Sequence, residues 1–496
     1  MNPYKFERTR PVIETRQGKL RGVTYGGVNI FMGVEYARAK RFHMPEEVEP
    51  WEGIRDAYKH GPIAMQLLNT NPFSYYRGIH VLEKQSENCQ NLNIWAPKTA
   101  PGENKPIFVW IHGGGYTSGN AFEEISFDGF NMAHDGDVVF ISINHRLNVL
   151  GFLNLEEYGE EFRNSGNAGL FDLVAALKWI HENAAAFGGD PDNVTLCGHS
   201  GGGGKVQCLF QVEEAAPWFR RGICLSGAEA GTGSPCTTRE ESRATAKAIL
   251  DELGITKENI EKVYDISFAE LAAATKKVTH AFAFSPIPTE DFPGFPALTH
   301  LMPFSKDKPF IYGSVLGEFP ICHLTAEDKA AMSEADKLAY HRSRLGPDTD
   351  RIVELFRKAY PDHDIIDLAY LDSQSRISAV KSAHTHLEAG CKNVYLFLAS
   401  YTVPEDGQIP IWHGGEVGFI FMNEDKVLAL NDPDYGVQYG HILSTMVLNF
   451  VKYGDPNNEY LPEWKPVTED ADWTMIIDKE CRCVADQDSE LMEIYD

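Results

Sequence analysis

The segment Gly198-His199-Ser200-Gly201-Gly202 places a serine among glycines in the pattern G-x-S-x-G. Small neighbours suit a sharp strand-to-helix turn, where side chains would clash across the bend. Such a turn lifts the serine Oγ clear of the sheet, and the following helix aims free N–H groups at developing negative charge. The flanks have the required character. Asn193-Val-Thr-Leu-Cys197 is a β-prone apolar run, and Lys205-Val-Gln-Cys-Leu-Phe210 starts a buried helix. Gly203-Gly-Lys205 also resembles the end of a phosphate-binding loop, G-x-x-x-x-G-K-[ST]. That pattern needs glycine at 199 and a hydroxyl at 206, where His199 and Val206 stand.

An activated serine needs a base, an orienting acid and donors for an oxyanion. His112-Gly113-Gly114-Gly115 follows the apolar run Pro106–Ile111 and is an oxyanion loop of the HGGG type. Gly114 and Gly115, with Gly201, are the expected donors. In hydrolases of this kind the acid and base follow the serine, on loops after later strands. Glu318 follows Lys308–Gly313, and His413 follows Asn393–Leu398. Other candidates fit less well. His112 and His145 read as structural. His323 lies too close to Glu318 to be its partner. Glu290 and Asp291 precede the strand that should position an acid. His384 and His386, two apart, would face one way on a strand but lack a third ligand for a metal.

The positioning elements are an alternation of apolar strands and helices. Strands are expected at Pro106–Ile111, Asp137–Ile143, Val194–Cys197, Arg221–Ser226, Lys308–Gly313 and Asn393–Leu398. Helices are expected at Phe171–Ala186 and Gln438–Tyr453. Fully apolar strands separated by helices imply an α/β fold with a large, mostly parallel sheet covered on both faces. Helical insertions are expected at about 237–280 and 327–370. No repeat or Pro/Gly-rich linker divides the chain, so residues 1–496 are expected to form a single catalytic domain.

The net charge of −26 argues against nucleic acid or an anionic membrane as partner. The first ten residues lack the apolar centre of a secretory signal, and no window has the length of a membrane span. Nine scattered cysteines, several in apolar runs, fit reduced thiols and a cytoplasmic location, where the Asn193 sequon has no role. Cys481-Arg-Cys483 fits neither a zinc pair nor a C-x-x-C motif. Neither metal nor organic cofactor is expected, and a monomer or homodimer is.

Taken together, these residues resemble the type-B carboxylesterase and cholinesterase family of the α/β-hydrolase fold, and a bacterial-type cytoplasmic member of it. The resemblance rests also on Phe31–Ala37, Arg41-Phe42, Pro50-Trp51, Ser86–Asn93, Asn167–Asp172, Trp179, Asn183, Phe187–Pro191, Gly454–Asn457 and Trp464. It implies a Ser200–His413–Glu318 triad, an acyl-enzyme, and an oxyanion hole from Gly114, Gly115 and Gly201. It also implies an Arg41–Glu87 ion pair and a serine, Ser226, behind the triad. Phe282 and Phe284 fall near the family's acyl-pocket segment and read equally well as core aromatics. The sequence departs from the family at several places. The cysteine expected near Ala64 to bridge Cys89 is absent, and Asn88 replaces an aspartate. Gly317 stands where an acidic residue is common, and Gly201 replaces the usual alanine. His199 replaces the glutamate before the nucleophile, which removes a negative charge and implies a preference for neutral alkyl or aryl esters over cationic ones. Amides, carbamates and plant-wall feruloyl or acetyl esters remain alternatives, since one triad serves all acyl transfers. A non-catalytic binding protein on the same fold is the remaining alternative.

Overall fold

Residues 26 and 27 are both glycines with positive φ, 55° and 84°, and they close a two-residue hairpin between β1 (Val23–Tyr25) and β2 (Val28–Glu35). This hairpin starts the main sheet of the chain. The computed structural model describes residues 6–7, 10–67, 84–100, 103–229, 238–280, 283–319, 324–404 and 409–496. His323 and Phe282 lie outside them.

The sheet continues with β3 (Asn91–Pro97), β4 (Lys105–Ile111), β5 (Val139–Ile143), β6 (Gly189–His199) and β7 (Arg221–Leu225). It ends with β8 (Phe310–Val315), β9 (Val394–Ala399), β10 (Thr474–Ile477) and β11 (Arg482–Val484). The eleven strands run in the order β11-β10-β9-β8-β7-β6-β4-β5-β3-β2-β1. From β10 to β5 every neighbouring pair is parallel. The joins at both flanks are antiparallel, so the sheet is mixed with a parallel centre. The expected strands form that centre, and apolar residues occur on both of their faces because both are covered. Trp110, Phe108, Ile223, Ile311 and Leu396 are fully buried there.

The helices cover the faces: α1 (Ala168–Asn183), α2 (Gly201–Leu209), α3 (Arg239–Glu252), α4 (Phe268–Val278), α5 (Glu334–Leu345), α6 (Thr349–Ala359), α7 (Gln374–Glu388), α8 (Gly415–Ile420) and α9 (Gly436–Tyr453). Helices α3 and α4 lie within residues 237–280, and α5 and α6 within residues 327–370. The starts of α3, α4 and α5 are chemically marked. Thr238 with Glu241, Ser267 with Glu270, and Ser333 with Asp336 each form a reciprocal capping box. One reading is corrected here. His384 and His386 lie on α7 rather than on a strand, so two residues apart turns them to different partners, Asp472 at 2.7 Å and the Tyr312 hydroxyl at 3.1 Å. Among the described residues no helix is long and apolar enough to cross a membrane.

Buried polar links tie these layers together. Arg146, after β5, holds Asp172 of α1 through its Nε and Nη2 at 2.8 and 2.7 Å, and both residues are buried. Arg41 and Glu87 form the ion pair that the resemblance implies, and Arg41 Nη1 also donates to the carbonyls of Val263 and Ile266 at 2.8 Å. The first helical insertion is thereby anchored to the N-terminal part of the chain. Cys89 is a free thiol packed with Ala64 and Leu147, so an apolar contact stands where a disulfide would close.

His363, between α6 and the strand ends, faces Asp367 at 3.2 Å and Asp478 at 3.5 Å. Burial disfavours its cation, but the two aspartates outweigh that and hold its pKa at about 9. A pKa raised above the unfolded value of about 6.5 adds stability that is complete below that pH and fades as pH rises through 9. Replacing His363 by Gln is expected to lower the melting temperature at pH 6.5 by several degrees and to narrow the gap between the proteins by pH 10, measured by circular dichroism melts.

Candidate active site

The site starts at the end of β6. Ser200 has φ 55° and ψ −131°, a left-handed backbone that a non-glycine residue adopts only when its surroundings enforce it. Main-chain hydrogen bonds on both sides do so. The Ser200 amide donates to Leu225 O at the end of β7 at 2.7 Å, and its carbonyl accepts from Gly203 N in α2 at 2.8 Å. Ser200 remains partly accessible, whereas its flanks His199 and Gly201 are buried. Since α2 begins at Gly201, residues 203–205 are helix and form no phosphate-cradling loop.

The His112–Gly115 loop lies against this turn. Gly114 has φ 82°, and its carbonyl accepts from Thr117 N and Ser118 N at 3.2 and 3.1 Å. A Cβ built on Gly201 would sit 2.4 Å from Gly115 Cα and O. The backbones of Gly115 and Gly201, two of the three expected donors, therefore meet with no room for a methyl group, which accounts for glycine in place of alanine at 201.

Glu318 follows β8 and His413 follows β9, and the two loops are stitched by main-chain bonds. Gly317 N donates to Ile411 O at 3.1 Å, and His413 N donates to Glu318 O at 2.8 Å. The side chains complete the pairing. His413 Nδ1 donates to Glu318 Oε2 at 2.6 Å, and Glu318 Oε1 accepts from Val315 N at 3.2 Å. Both residues are buried. The His413 ring lies between two others. His199 approaches to 4.3 Å between centroids and Phe319 to 4.2 Å. Through His199, the residue beside Ser200, the serine turn and the His413–Glu318 pair become one assembly.

The electrostatics follow from burial. Burial first, and His413 second, push the His199 pKa well below its ordinary value, so this ring is neutral. Two more carboxyl groups sit near Glu318. Burial and then the charge of Glu318 push Glu416 well up and raise Asp372. Ser226 is buried at φ 47°, with its amide bonded to Gly313 O at 2.8 Å, and it adjoins Gly227, which packs directly on the Ser200 carbonyl. It thus lies behind the serine. Phe284 is buried in the main core cluster.

Sequence reasoning did not single out Phe319, Asp372 or the buried lysine at 205 as parts of this region. The available signals were the aromatic directly after Glu318 and a lone cation in the apolar start of α2.

The sequence profile of the Carboxylesterase family matches residues 9–492. Para-nitrobenzyl esterase of Bacillus subtilis (strain 168) is 30% identical over 501 residues, covering 97% of this chain and 98% of that protein. Phenmedipham hydrolase of Pseudarthrobacter oxydans is 30% identical, covering 95% and 96%. Among solved structures, an esterase from anaerobic Clostridium hathewayi, described as able to hydrolyse aliphatic aromatic polyesters, superposes with a TM-score of 0.92. It is 36% identical and covers 99% of both chains.

Gly201→Ala should force the Gly115 backbone away, because the added methyl meets main chain rather than a flexible side chain. The expected result is a fall in kcat of about 10- to 100-fold, in the range of a weakened oxyanion donor, with KM changed little. Steady-state kinetics on a para-nitrophenyl ester read this directly.

Proposed function

This chain belongs to the carboxylesterase family and is a serine ester hydrolase of the α/β-hydrolase fold, and from that premise we propose that Ser200, His413 and Glu318 carry the reaction through an acyl-enzyme. The observation that supports it best is the buried 2.6 Å bond from His413 Nδ1 to Glu318 Oε2, on a ring that packs against the neighbour of Ser200.

With Nδ1–H committed to Glu318, the lone pair of His413 lies on Nε2. In this reading that nitrogen takes the proton of Ser200 Oγ as the oxygen attacks the ester carbonyl. The amides of Gly114, Gly115 and Gly201 hold the oxyanion, so charge develops against fixed dipoles that need not reorganise. His413 then returns the proton to the leaving alcohol, and it activates the water that releases the acid. Glu318 fixes the imidazole tautomer and stabilises the imidazolium. Burial and then the Glu318 charge push the pKa values of Glu416 and Asp372 upward, which disfavours a competing anion beside Glu318.

For substrate, we propose neutral alkyl or aryl esters. Neutral His199 supplies no anion to attract a cationic alcohol group, and two relatives are described by esters that carry aromatic groups.

Ser200→Ala should lose at least about 10⁴-fold in turnover, and a serine-directed phosphonate should label the parent protein alone. Retained turnover in that variant would overturn the proposal. On substrate, 3,3-dimethylbutyl acetate is expected to be hydrolysed faster than its charged isostere acetylcholine, by about 10-fold in kcat/KM. A faster choline ester contradicts the role given to His199.

A further inference from the structure

Directly behind the oxyanion loop lies a cation that the reaction scheme above does not use. Lys205 stands in the second turn of α2, and it is only 1% exposed. Its Nζ donates to the carbonyl oxygen of His112 at 3.2 Å and lies 5.6 Å from the centroid of the Tyr116 ring. Among the described residues no carboxylate pairs with it. A buried ammonium without a counter-ion is costly, by several kcal/mol. A neutral side chain of similar length would fill this space without that cost.

The bond spans the two parts that must stay in register. His112 opens the loop that bears Gly114 and Gly115, while Lys205 rides on the helix that starts with Gly201. The same carbonyl is pressed from α2, since a Cβ on Gly202 would lie 2.8 Å from His112 O. Residues 113–115 have no side chains to lock into the core, so hydrogen bonds to their main chain fix where their amides point. The others are local: Thr117 N, Ser118 N and, at 3.4 Å, Ser118 Oγ donate to Gly114 O, and His112 Nδ1 donates to Gly113 O at 2.9 Å. Lys205 is the side-chain anchor from α2.

Resting on the oxyanion hole proposed above, we propose that Lys205 is a positioning residue for that hole. Its ammonium clamps the His112 carbonyl to the nucleophile's helix, and its charge stabilises the oxyanion through a water-poor interior. Loss of the proton removes the charge and weakens the clamp.

Burial brings the Lys205 pKa down to about 7, so this loss falls within a working pH range. The titratable groups around it come from every neighbouring element. His112 after β4 and His145 after β5 stack at 5.2 Å, and burial followed by the Lys205 charge holds both rings neutral. Cys208 on α2 and Glu123 beyond the loop favour the ammonium. Tyr116 and Glu229 border the adjoining Gly204.

The test is the pH dependence of kcat for phenyl acetate in a pH-stat, on the intact protein. Wild type is expected to lose activity on the alkaline side, with an apparent pKa between 7 and 8.5. Lys205→Arg keeps its charge, so its alkaline limb should move beyond pH 10. Lys205→Met should lose about 10-fold in kcat at pH 6.5, with KM within about twofold, and should lack the limb. A wild-type plateau to pH 10, or a Lys205→Met protein with the wild-type profile and kcat, overturns the inference. If Lys205→Met does not fold, the wild-type limb and its position in Lys205→Arg decide the matter. Turnover persisting in Ser200→Ala would instead overturn the underlying assignment, so the two failures are distinguishable.

Discussion

A serine held at positive φ between two parallel strands is the constraint on which the site depends. Such a backbone costs on the order of 1–3 kcal/mol, and it persists because the Ser200 amide and carbonyl are tied to Leu225 and Gly203. Everything nearby is arranged around that turn. The helix must begin at once, so its first residue lies against the His112–Gly115 loop. Space at the bend is so small that Gly201 meets Gly115 backbone to backbone. The parallel sheet supplies this geometry because β6 ends between β7 and β4, whose own carboxyl ends carry Ser226 and the His112 loop.

The next layer is electrostatic. Glu318 and His413 are buried together, and their loops are joined by main-chain bonds, so the charge-assisted contact is built into the crossing of two strand ends. Around it the molecule limits other charges. His199 is neutral, and Glu416 and Asp372 are pushed toward their protonated forms. A neutral ring at 199 puts no formal charge beside Ser200, a feature that separates this chain from the glutamate-bearing pattern it otherwise resembles.

Much of this was legible in the sequence, for a physical reason. The serine turn and the glycine loop are local devices whose residue types are dictated by a few backbone atoms, so short motifs reveal them. Glu318 and His413 were legible through chain order, since each follows an apolar strand. Long-range effects were not. Nothing near His384 distinguishes a helix from a strand as clearly as the packing of α7 does. The outermost antiparallel pair, β1 and β2, depends on a Gly26–Gly27 hairpin in a stretch of mixed polarity. Lys205 looked like the end of a failed phosphate-loop match, and only the fold places its ammonium on the His112 carbonyl. Phe319 gains its place over His413 from the loop crossing, which no local pattern encodes.

The claim that Ser200 becomes acylated has one direct measurement. A slowly deacylating aryl ester is mixed with the protein, quenched in acid during turnover, digested and examined by mass spectrometry. The account predicts an acyl adduct on the peptide bearing Ser200, appearing in step with the first burst of released alcohol. Steady turnover without any adduct, or an adduct confined to another residue, would contradict it.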